Sequence, residues 1–396
     1  MSRRVSGISS LVPLFPLLLT MACASTYGLD ELDLADDAEV GDGASLAGEE
    51  MVRRPPRGDR PWRPRPDGPR PGGDTGTTGD GGTTGDGGAG GDTGTAGDGG
   101  TVEEPVIEPS ADPAPYGFWG LNGYVSSSGL SDVSGRLGAG IFQVANESPT
   151  WTVNTLLPMV RAAGMQVTLR MSGDHGYYTT SGGSFDLESW KDRVDLWAGS
   201  GVQTYIDDGT LAGHMILDDI HNFSGADPTG DQLDEMARYS KEVLPGLMTF
   251  VRCQASTMPE PTAGVYTHLD ASVNQYQFVD GAIEDYYAEE LAAAIALDLG
   301  VINGLNIADG GDGSSGQPGW RSGRYAMAAA EIVEYGTILA RMPGLGMFLN
   351  WEYDGEEAWS DGTIGSDYFD QPEVQAALVE LGGIVGAVER TTLIRE

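Results

Sequence analysis

The stretch Gly213-His-Met-Ile-Leu-Asp-Asp-Ile-His-Asn222 decides the fold of this chain. It is a short apolar run, preceded by Gly213, that ends in two adjacent carboxylates and then a histidine. A run of this kind is typical of a parallel strand that helices bury on both faces. Acids at the downstream end of such a strand lie where α/β proteins place their active sites. The stretch therefore predicts an α/β fold with a polar site at the carboxyl ends of its strands.

On both sides of this stretch, short apolar runs alternate with longer amphipathic segments. We predict eight strands, at residues 117–124, 141–145, 166–171, 215–219, 247–253, 271–277, 301–307 and 347–351. We predict helices at residues 150–163, 186–197, 231–243, 282–299, 325–341 and 372–389. Eight such units in about 285 residues have the number and size of a (β/α)8 barrel, or TIM barrel. A doubly wound sheet is the alternative, but no Gly-x-Gly-x-x-Gly turn follows the first strand.

The start of the chain predicts export. Residues 1–24 have the form of a signal peptide, with two arginines ahead of an apolar core that is too short to span a bilayer. Thr20-Met-Ala-Cys23 resembles the bacterial lipoprotein box, which implies lipidation of Cys23 and anchoring in the cell envelope. Ala22-Cys-Ala24 also fits ordinary cleavage between small residues, which would release a secreted soluble protein. Membrane attachment is thus expected through a lipid alone.

A long linker is expected between the signal and the barrel. Residues 25–111 are rich first in Arg and Pro and then in Gly, Asp and Thr, with few apolar side chains to bury. Such composition predicts a disordered tether. The barrel domain is then predicted at residues 112–396, and we expect it to act as a monomer.

Charge and cysteine content restrict the partners and the cross-links. The formal net charge is −37, which repels nucleic acid and anionic polymers and favours neutral or cationic partners. A well-solvated acidic surface without any partner explains the charge equally well. With Cys23 lipidated or removed, Cys253 has no partner for a disulfide, and its apolar surroundings predict a structural thiol.

Polar and aromatic residues stand at nearly every predicted strand end, where a barrel builds its site. In chain order these residues include Glu147, Arg170, His175, Asp218, Asp219, His221, Tyr276, Asn306, Asp309, Trp351 and Glu352. Aromatic faces stack on pyranose rings, and a pair of carboxyl groups can act as acid and base at a glycosidic bond. This collection predicts a carbohydrate ligand.

From Tyr116 to the C-terminus the layout resembles glycoside hydrolase barrels. In the large retaining group of these enzymes the fourth strand ends in Asn-Glu, whose Glu is the acid/base, and the seventh strand ends in the Glu nucleophile. Asp218-Asp219 stands at the position of that dipeptide, so the resemblance implies the acid/base role for Asp219. The chain departs from the pattern because Asp is shorter than Glu and because the seventh strand offers Asp309 in a Gly-rich loop.

Glu352 is the stronger candidate for the second catalytic carboxylate, ahead of Asp309. It directly follows the eighth apolar strand and is preceded by Asn350 and Trp351. Strands four and eight lie opposite each other in a barrel, which favours a wide separation of the two carboxyl groups. Such a separation is typical of inverting enzymes, where it is roughly 6.5–9.5 Å, and not of retaining enzymes, where it is roughly 5 Å. The remaining strand-end residues are predicted to bind substrate: Asp218, Arg170, His175, His221, Asn306, Trp351, Tyr276 and Glu147.

The same residues also fit structural roles. Asp218 and Asp219 could cap the following turn or pair with Arg170 or Arg252. Glu352 could equally be the buried partner of an arginine, and a histidine in a loop is commonly exposed to solvent. These alternatives stay open at the level of the sequence.

A metal site is the other chemical alternative. Asp-Asp followed closely by His resembles metal-dependent polysaccharide deacetylases, but those also supply a His-x-x-x-His pair. His214 and His221 are seven residues apart, and His214 stands at the start of its strand. We therefore predict neither metal nor other cofactor.

Two functions remain. The first is a glycoside hydrolase-like enzyme acting on a neutral poly- or oligosaccharide, and the second is a non-catalytic surface lipoprotein that binds glycans on the same scaffold. The enzyme requires two carboxyl groups at catalytic distance with one raised pKa, and the binding protein does not.

Overall fold

Eight parallel strands close into a barrel. A computed structural model describes residues 109–120, 127–145, 148–353, 362 and 365–391. The strands are β1 (Pro109–Pro113), β2 (Tyr116–Trp119), β3 (Ile141–Ala145), β4 (Gln166–Arg170), β5 (Leu211–Asp218), β6 (Met248–Arg252), β7 (Ala271–Tyr276), β8 (Gly300–Leu305), β9 (Leu345–Asn350) and β10 (Glu389–Thr391). Strands β2 to β9 form the closed barrel, in which each pairs with the next and β9 pairs with β2. The (β/α)8 prediction is confirmed and the doubly wound sheet is excluded.

Helices connect the strands along the outside. They are α1 (Ser127–Leu137), α2 (Pro149–Trp151), α3 (Leu157–Ala162), α4 (Leu187–Asp195), α5 (Gln203–Asp207), α6 (Gly230–Val243), α7 (Ile283–Ala296), α8 (Ala329–Ala340), α9 (Gly365–Phe369) and α10 (Pro372–Val385). A π-helical turn at Thr152–Leu156 joins α2 to α3. The start of α6 is fixed by a capping box in which Thr229 and Gln232 satisfy each other's backbone N–H groups.

The eight predicted strands are β2 to β9, with ends that differ by a few residues. Sequence periodicity missed α1, whose sequence is rich in Ser and Gly, and the short helices α5 and α9. It also missed β1, which pairs antiparallel with β10 near the end of the chain. β1 begins at Pro109, so its first three residues overlap the end of the linker predicted at residues 25–111. Pairing with a strand so distant in sequence leaves no local pattern to recognise.

The core between barrel and helices is held partly by tryptophans that donate to strand-end carbonyls. Trp190 on α4 is fully buried and donates from Nε1 to the carbonyl of Ile216 at 2.9 Å. Trp197 donates in the same way to the carbonyl of Met171 at 3.0 Å. These bonds satisfy the only polar atom of each indole, so both rings can be buried without penalty.

The interior of the barrel is closed by aromatic contact. Trp119 on β2 and Phe250 on β6 come from strands on opposite sides of the ring, and their ring centroids lie 6.4 Å apart. Phe250 thus marks the inward face of β6. Side chains two residues apart share a face of a strand, so Arg252 also faces the interior.

Several predictions concern parts of the chain outside the described residues. They are the signal peptide at 1–24, all of the linker before Pro109, the lipidation site Cys23 and the substrate-binding candidate Glu147. Among the residues that the structure describes, no helix is both long and apolar enough to cross a membrane.

Candidate active site

A bulge in β5 aims Asp218 into the barrel. Met215 is in register with Phe250, but the register then shifts, and Leu217 pairs with Val251 and Asp218 with Arg252. Paired residues of parallel strands point to the same side, so Asp218 shares the inward face of Arg252. Bulges commonly re-aim a side chain beside a functional site.

Asp218 lies between two arginines. Arg170 donates from Nη1 to Oδ2 of Asp218 at 2.8 Å, and the Nε of Arg252 contacts Oδ1 of the same carboxylate. Burial opposes ionisation of this group, but the charges of Arg252 and Arg170 outweigh it and hold the pKa of Asp218 below its usual range. The pairing that the sequence left open therefore exists with both arginines. Asp218 and Arg170 remain candidates for substrate binding, although each is engaged by the other.

Asp219 is in a different environment although it is the next residue. Its backbone is left-handed, with φ of 50°. Its N–H donates to the carbonyl of Arg252 at 3.2 Å, and its Oδ1 accepts from the N–H of His221 at 3.3 Å. Burial raises the pKa of Asp219, against the opposing charge of Arg252. Two neighbouring carboxyl groups thus have pKa values shifted in opposite directions.

The two candidate histidines, His175 and His221, lie in different environments. His175 is half-buried, and its ring lies 5.7 Å from that of Tyr178 and 5.3 Å from that of Phe223. Burial lowers its pKa, although the charge of Asp218 opposes the shift, so the ring is neutral at pH 7. His221 is exposed and its Nδ1 lies 3.1 Å from Oδ2 of Asp227. His175 therefore joins the Asp218 cluster, and His221 stands at its rim.

Glu352 follows β9 and lies against the end of β2. It is half-buried, and a Cβ added to Gly120 would lie 2.5 Å from its Cγ. Strands β5 and β9 are four places apart in the ring of eight, so Asp219 and Glu352 follow strands on opposite sides, as predicted. Trp351, immediately before Glu352, is buried and donates its backbone N–H to the carbonyl of Leu305 at 2.8 Å.

The contacts of Asp309 stabilise the loop between β8 and α8, in which it lies. The side chain is buried, and its Oδ1 and Oδ2 accept from the N–H and the Nε of Arg321 at 2.8 and 2.6 Å. The N–H of Asp309 donates to Oδ1 of Asn306 at 3.0 Å. These contacts favour a structural role for Asp309 and Asn306, which leaves Glu352 as the stronger second carboxylate.

Tyr276 does not face the site. Its ring packs on Tyr286 of α7 and Tyr335 of α8, with centroids 5.2 and 5.1 Å away, and its hydroxyl donates to the carbonyl of Gly281 at 2.8 Å. The prediction that Tyr276 binds substrate is corrected here, because alternation along β7 turns this side chain toward the helices. The preceding residue, Gln275, faces inward instead.

Arg321 is a residue of this region that the sequence interpretation missed. It reaches Asp309 from the far side of a Gly-rich loop, and its Nη2 also donates to Oε1 of Gln277 at 3.2 Å. No local pattern marks an arginine of this kind, because one partner lies 12 residues away in the same loop and the other, Gln277, lies in the loop after β7. Arg252 was considered only as a possible partner of an acid, and the structure gives it a central place.

The remaining candidates for chemistry are clusters of metal-ligand side chains and the thiol of Cys253. Among the described residues, no group of three or more His, Cys, Asp or Glu side chains is placed to hold a metal ion. Burial raises the pKa of Cys253 to about 12, and its Sγ lies 3.2 Å from Oγ1 of Thr257. A thiol with so high a pKa is a poor nucleophile at neutral pH.

The fold and the strand-end carboxylates define a (β/α)8 barrel with a polar mouth. No protein-family model matches the sequence, and no curated protein matches it significantly. Among solved structures, the chain is similar to a glycoside hydrolase family 30 subfamily 8 xylanase from Clostridium acetobutylicum, with 10% identity over 69% of this chain and 73% of the other and a TM-score of 0.42.

Two further similarities have the same low level. A D-psicose 3-epimerase from Clostridium cellulolyticum H10 is 12% identical over 68% of this chain and 99% of the other, with a TM-score of 0.41. A family 17 β-1,3-glucanosyltransferase from Rhizomucor miehei is 15% identical over 65% of this chain and 96% of the other, with a TM-score of 0.42. A fold alone does not assign a function, so the function has to be argued from the site.

Proposed function

We propose that this chain is a glycoside hydrolase-like enzyme that cleaves a neutral poly- or oligosaccharide, with Asp219 as the general acid. The observation that supports the proposal most directly is the contrast between Asp218 and Asp219 at the end of β5. The first is kept ionised by two arginines, and the second has its pKa raised by burial. Neighbouring carboxyl groups with opposite pKa shifts are a pattern of acid/base sites.

Glu352 would supply the second carboxylate. In the reaction that we propose, Asp219 gives its proton to the glycosidic oxygen as the bond from that oxygen to the anomeric carbon breaks. Glu352 takes a proton from a water molecule, whose oxygen forms the new bond to the anomeric carbon. The positions of Asp219 and Glu352 after opposite strands support this inverting course over a covalent intermediate.

The pH dependence follows from the role of Asp219. A general acid must carry its proton, so activity is expected to fall as pH rises through the pKa of Asp219. Because burial raises that pKa, the fall occurs at a higher pH than an ordinary aspartate would give.

The charge of the chain supports a neutral substrate. With a formal net charge of −37, the protein repels anionic polymers at a distance, whereas a neutral glycan approaches without hindrance. At the mouth, with Asp219 carrying its proton, the charges of Arg170 and Arg252 are opposed by Asp218 and Glu352, so the local charge is also close to balanced.

One observation favours the second candidate, a glycan-binding protein without catalysis. Asp218 and Asp309, two of the five acids predicted at strand ends, are already engaged by arginines. A binding site needs only ordered polar groups and aromatic faces, and it does not need a carboxyl group that can give up a proton.

A hydrolysis assay separates the two candidates. Xylan, mannan, laminarin and a mixed-linkage β-glucan would be incubated with the wild-type chain, Asp219→Asn and Glu352→Gln, and reducing ends and binding would both be measured. The enzyme requires cleavage by the wild type and a loss of about 10²-fold or more in each variant, with binding retained. Binding without cleavage by any of the three proteins would favour the glycan-binding protein.

We also propose that the chain is exported and anchored through a lipid on Cys23. The lipoprotein-like sequence before Cys23 supports this proposal, and the linker would then hold the barrel away from the membrane surface. In a bacterial host, the wild type should fractionate with membranes and Cys23→Ser should not. An equal distribution of both proteins in the soluble exported fraction would instead support ordinary cleavage.

A further inference from the structure

The loop between β8 and α8 folds back beside Glu352 as a braced hairpin. Its two sides meet where Gly310 and Pro318 both form bridges with Tyr325. Asp309 and Gln277 hold the same loop through Arg321, with the hydrogen bonds described above. A loop with this many internal bonds presents its side chains in fixed positions.

Trp320, at the tip of this hairpin, continues the polar mouth with an aromatic ring. It lies edge to face with Trp351, with ring centroids 5.5 Å apart, and Trp351 directly precedes Glu352. Gly319 packs so closely on Asp309 that an added Cβ would lie 2.5 Å from Oδ1. The position of the Trp320 backbone is therefore set by the ion pair between Asp309 and Arg321.

Two more aromatic side chains are exposed in this region, Tyr325 within the loop and Phe278 beside it. Tyr325 is 43% and Phe278 is 47% exposed. The N–H of Phe278 donates to the carbonyl of Gly310 at 2.9 Å, and the N–H of Gly311 donates to the carbonyl of Tyr325 at 2.8 Å. Both residues thus flank the Gly310–Gly311 backbone. Single exposed apolar residues are ordinary, but a rigid group of them marks a binding surface.

We propose that Trp320, Tyr325 and Phe278, named here the aromatic strip, bind sugar units of a glycan chain beyond the unit held at Asp219 and Glu352. The class of ligand rests on the proposed function. Pyranose rings present apolar faces that stack on aromatic side chains, and Trp320 links the strip to the candidate catalytic carboxylate through its contact with Trp351, the neighbour of Glu352. The strip therefore adds affinity for long chains and none for short ones.

The test compares oligosaccharides of two lengths on a chain that does not cleave them. In an Asp219→Asn background, binding of xylo-, cello- and laminari-disaccharides and hexasaccharides would be measured by calorimetry. We expect Trp320→Ala, Tyr325→Ala and Phe278→Ala each to weaken hexasaccharide binding by roughly three- to tenfold and to leave disaccharide binding unchanged.

Ile295→Ala serves as the control. Ile295 is 69% exposed in the last turn of α7, at the opposite end of the barrel from the strand ends, so its removal should change neither affinity. Thermal unfolding of each variant would verify that the fold is intact, and the exposed positions of Tyr325 and Phe278 mean that neither substitution removes a buried side chain.

The outcomes also separate this inference from the proposed function. If hexasaccharide affinity is unchanged in all three variants, if both lengths weaken alike, or if no probe binds, the aromatic strip is overturned. If the wild type cleaves glycans while the strip variants keep full affinity, the enzyme stands and the strip fails. If the wild type cleaves nothing but the strip variants lose affinity for the long chain alone, the strip stands and the enzyme fails.

Discussion

Asp218 and Asp219 show how strongly local environment separates two identical side chains. The bulge in β5 aims the first into the barrel, where Arg170 and Arg252 hold it. The backbone of Asp219 is left-handed, and its side chain accepts a hydrogen bond from the N–H of His221. Burial removes this carboxyl group from solvent, and the opposing charge of Arg252 does not compensate for it. The proposed role of Asp219 as the general acid depends on this separation.

Removing the Asp218 carboxylate should destabilise the fold. Asp218→Asn would leave two mostly buried guanidinium groups without their shared counter-charge, which costs about 3 kcal/mol or more. Urea unfolding would measure the loss of free energy. The control is Asp227→Asn, which breaks a half-exposed pair with His221 and should change stability by less than about 1 kcal/mol. Equal small effects of both variants would contradict the buried ion-pair cluster.

His214 should make stability depend on pH. Burial lowers its pKa to about 3, and Nδ1 lies 2.7 Å from Oγ of Ser240. The folded state therefore stays neutral where the unfolded state, with a pKa of about 6.5, binds a proton. Stability from this group is fully present above pH 6.5 and is lost as pH falls toward 3, by about 1.4 kcal/mol for each pH unit.

A double variant isolates this effect. His214→Phe with Ser240→Ala removes both hydrogen-bonding partners together and keeps an aromatic ring beside Trp190, whose ring lies 6.1 Å away. Unfolding free energies of wild type and variant would be compared from pH 7 to pH 4. The wild type should lose more stability over this range, and parallel curves would show that His214 titrates normally.

The position of a site residue was predictable where it depends on one strand. Its contacts were not predictable where they depend on several elements. The positions of Asp218, Asp219 and Glu352 at strand ends follow from the apolar runs before them. The double engagement of Asp218 depends on a register shift in β5, and the inward direction of Gln275 in place of Tyr276 depends on the parity of β7. Neither is visible in composition or spacing.

Strands β2 and β3 of the barrel pack so closely at Gly117 that no side chain fits there. A Cβ at this position would lie 1.6 Å from the carbonyl oxygen of Ile141 in the neighbouring strand β3. Glycine is required here because the two backbones approach too closely for any side chain.

Gly117→Ala is therefore expected to lower the unfolding free energy by about 3 kcal/mol, since β2 and β3 must separate locally. The control is Gly135→Ala in the exposed part of α1, where no atom lies within 4 Å of the added methyl group. That change should stabilise the helix by about 0.5–1 kcal/mol. Thermal or urea unfolding of both variants would decide, and a neutral Gly117→Ala would contradict the close strand approach.

Elements with a strong local pattern were predicted, and elements that depend on distant partners were not. The barrel strands are apolar runs bounded by turns, and α6 combines a capping box with a regular apolar face. In contrast, β1 exists only through its pairing with β10, and α1 has a Ser/Gly-rich sequence that favours no structure. The position of β1 is fixed by the closed fold, and that of α1 is fixed by contacts with α10 and α3.

At the scale of the whole molecule, barrel closure brings together groups that are far apart in sequence. The strand order places Asp219 opposite Glu352, and the β8–α8 loop adds Arg321 and Trp320 to the same mouth. The count of strand–helix units predicted this architecture from the sequence. The loop contacts were not predictable, because they depend on side chains from β7, β8 and β9 that meet only after closure.

If Asp219 donates a proton to the leaving group, the cost of removing its carboxyl group depends on how much protonation that leaving group needs. We would measure kcat/KM of the wild type and Asp219→Asn on a cleaved natural oligosaccharide and on the matching dinitrophenyl glycoside, whose leaving group needs no protonation. We expect a loss of about 10²- to 10⁴-fold on the oligosaccharide and almost none on the aryl glycoside. An equal loss on both substrates would contradict the claim and assign Asp219 to substrate binding or to the fold.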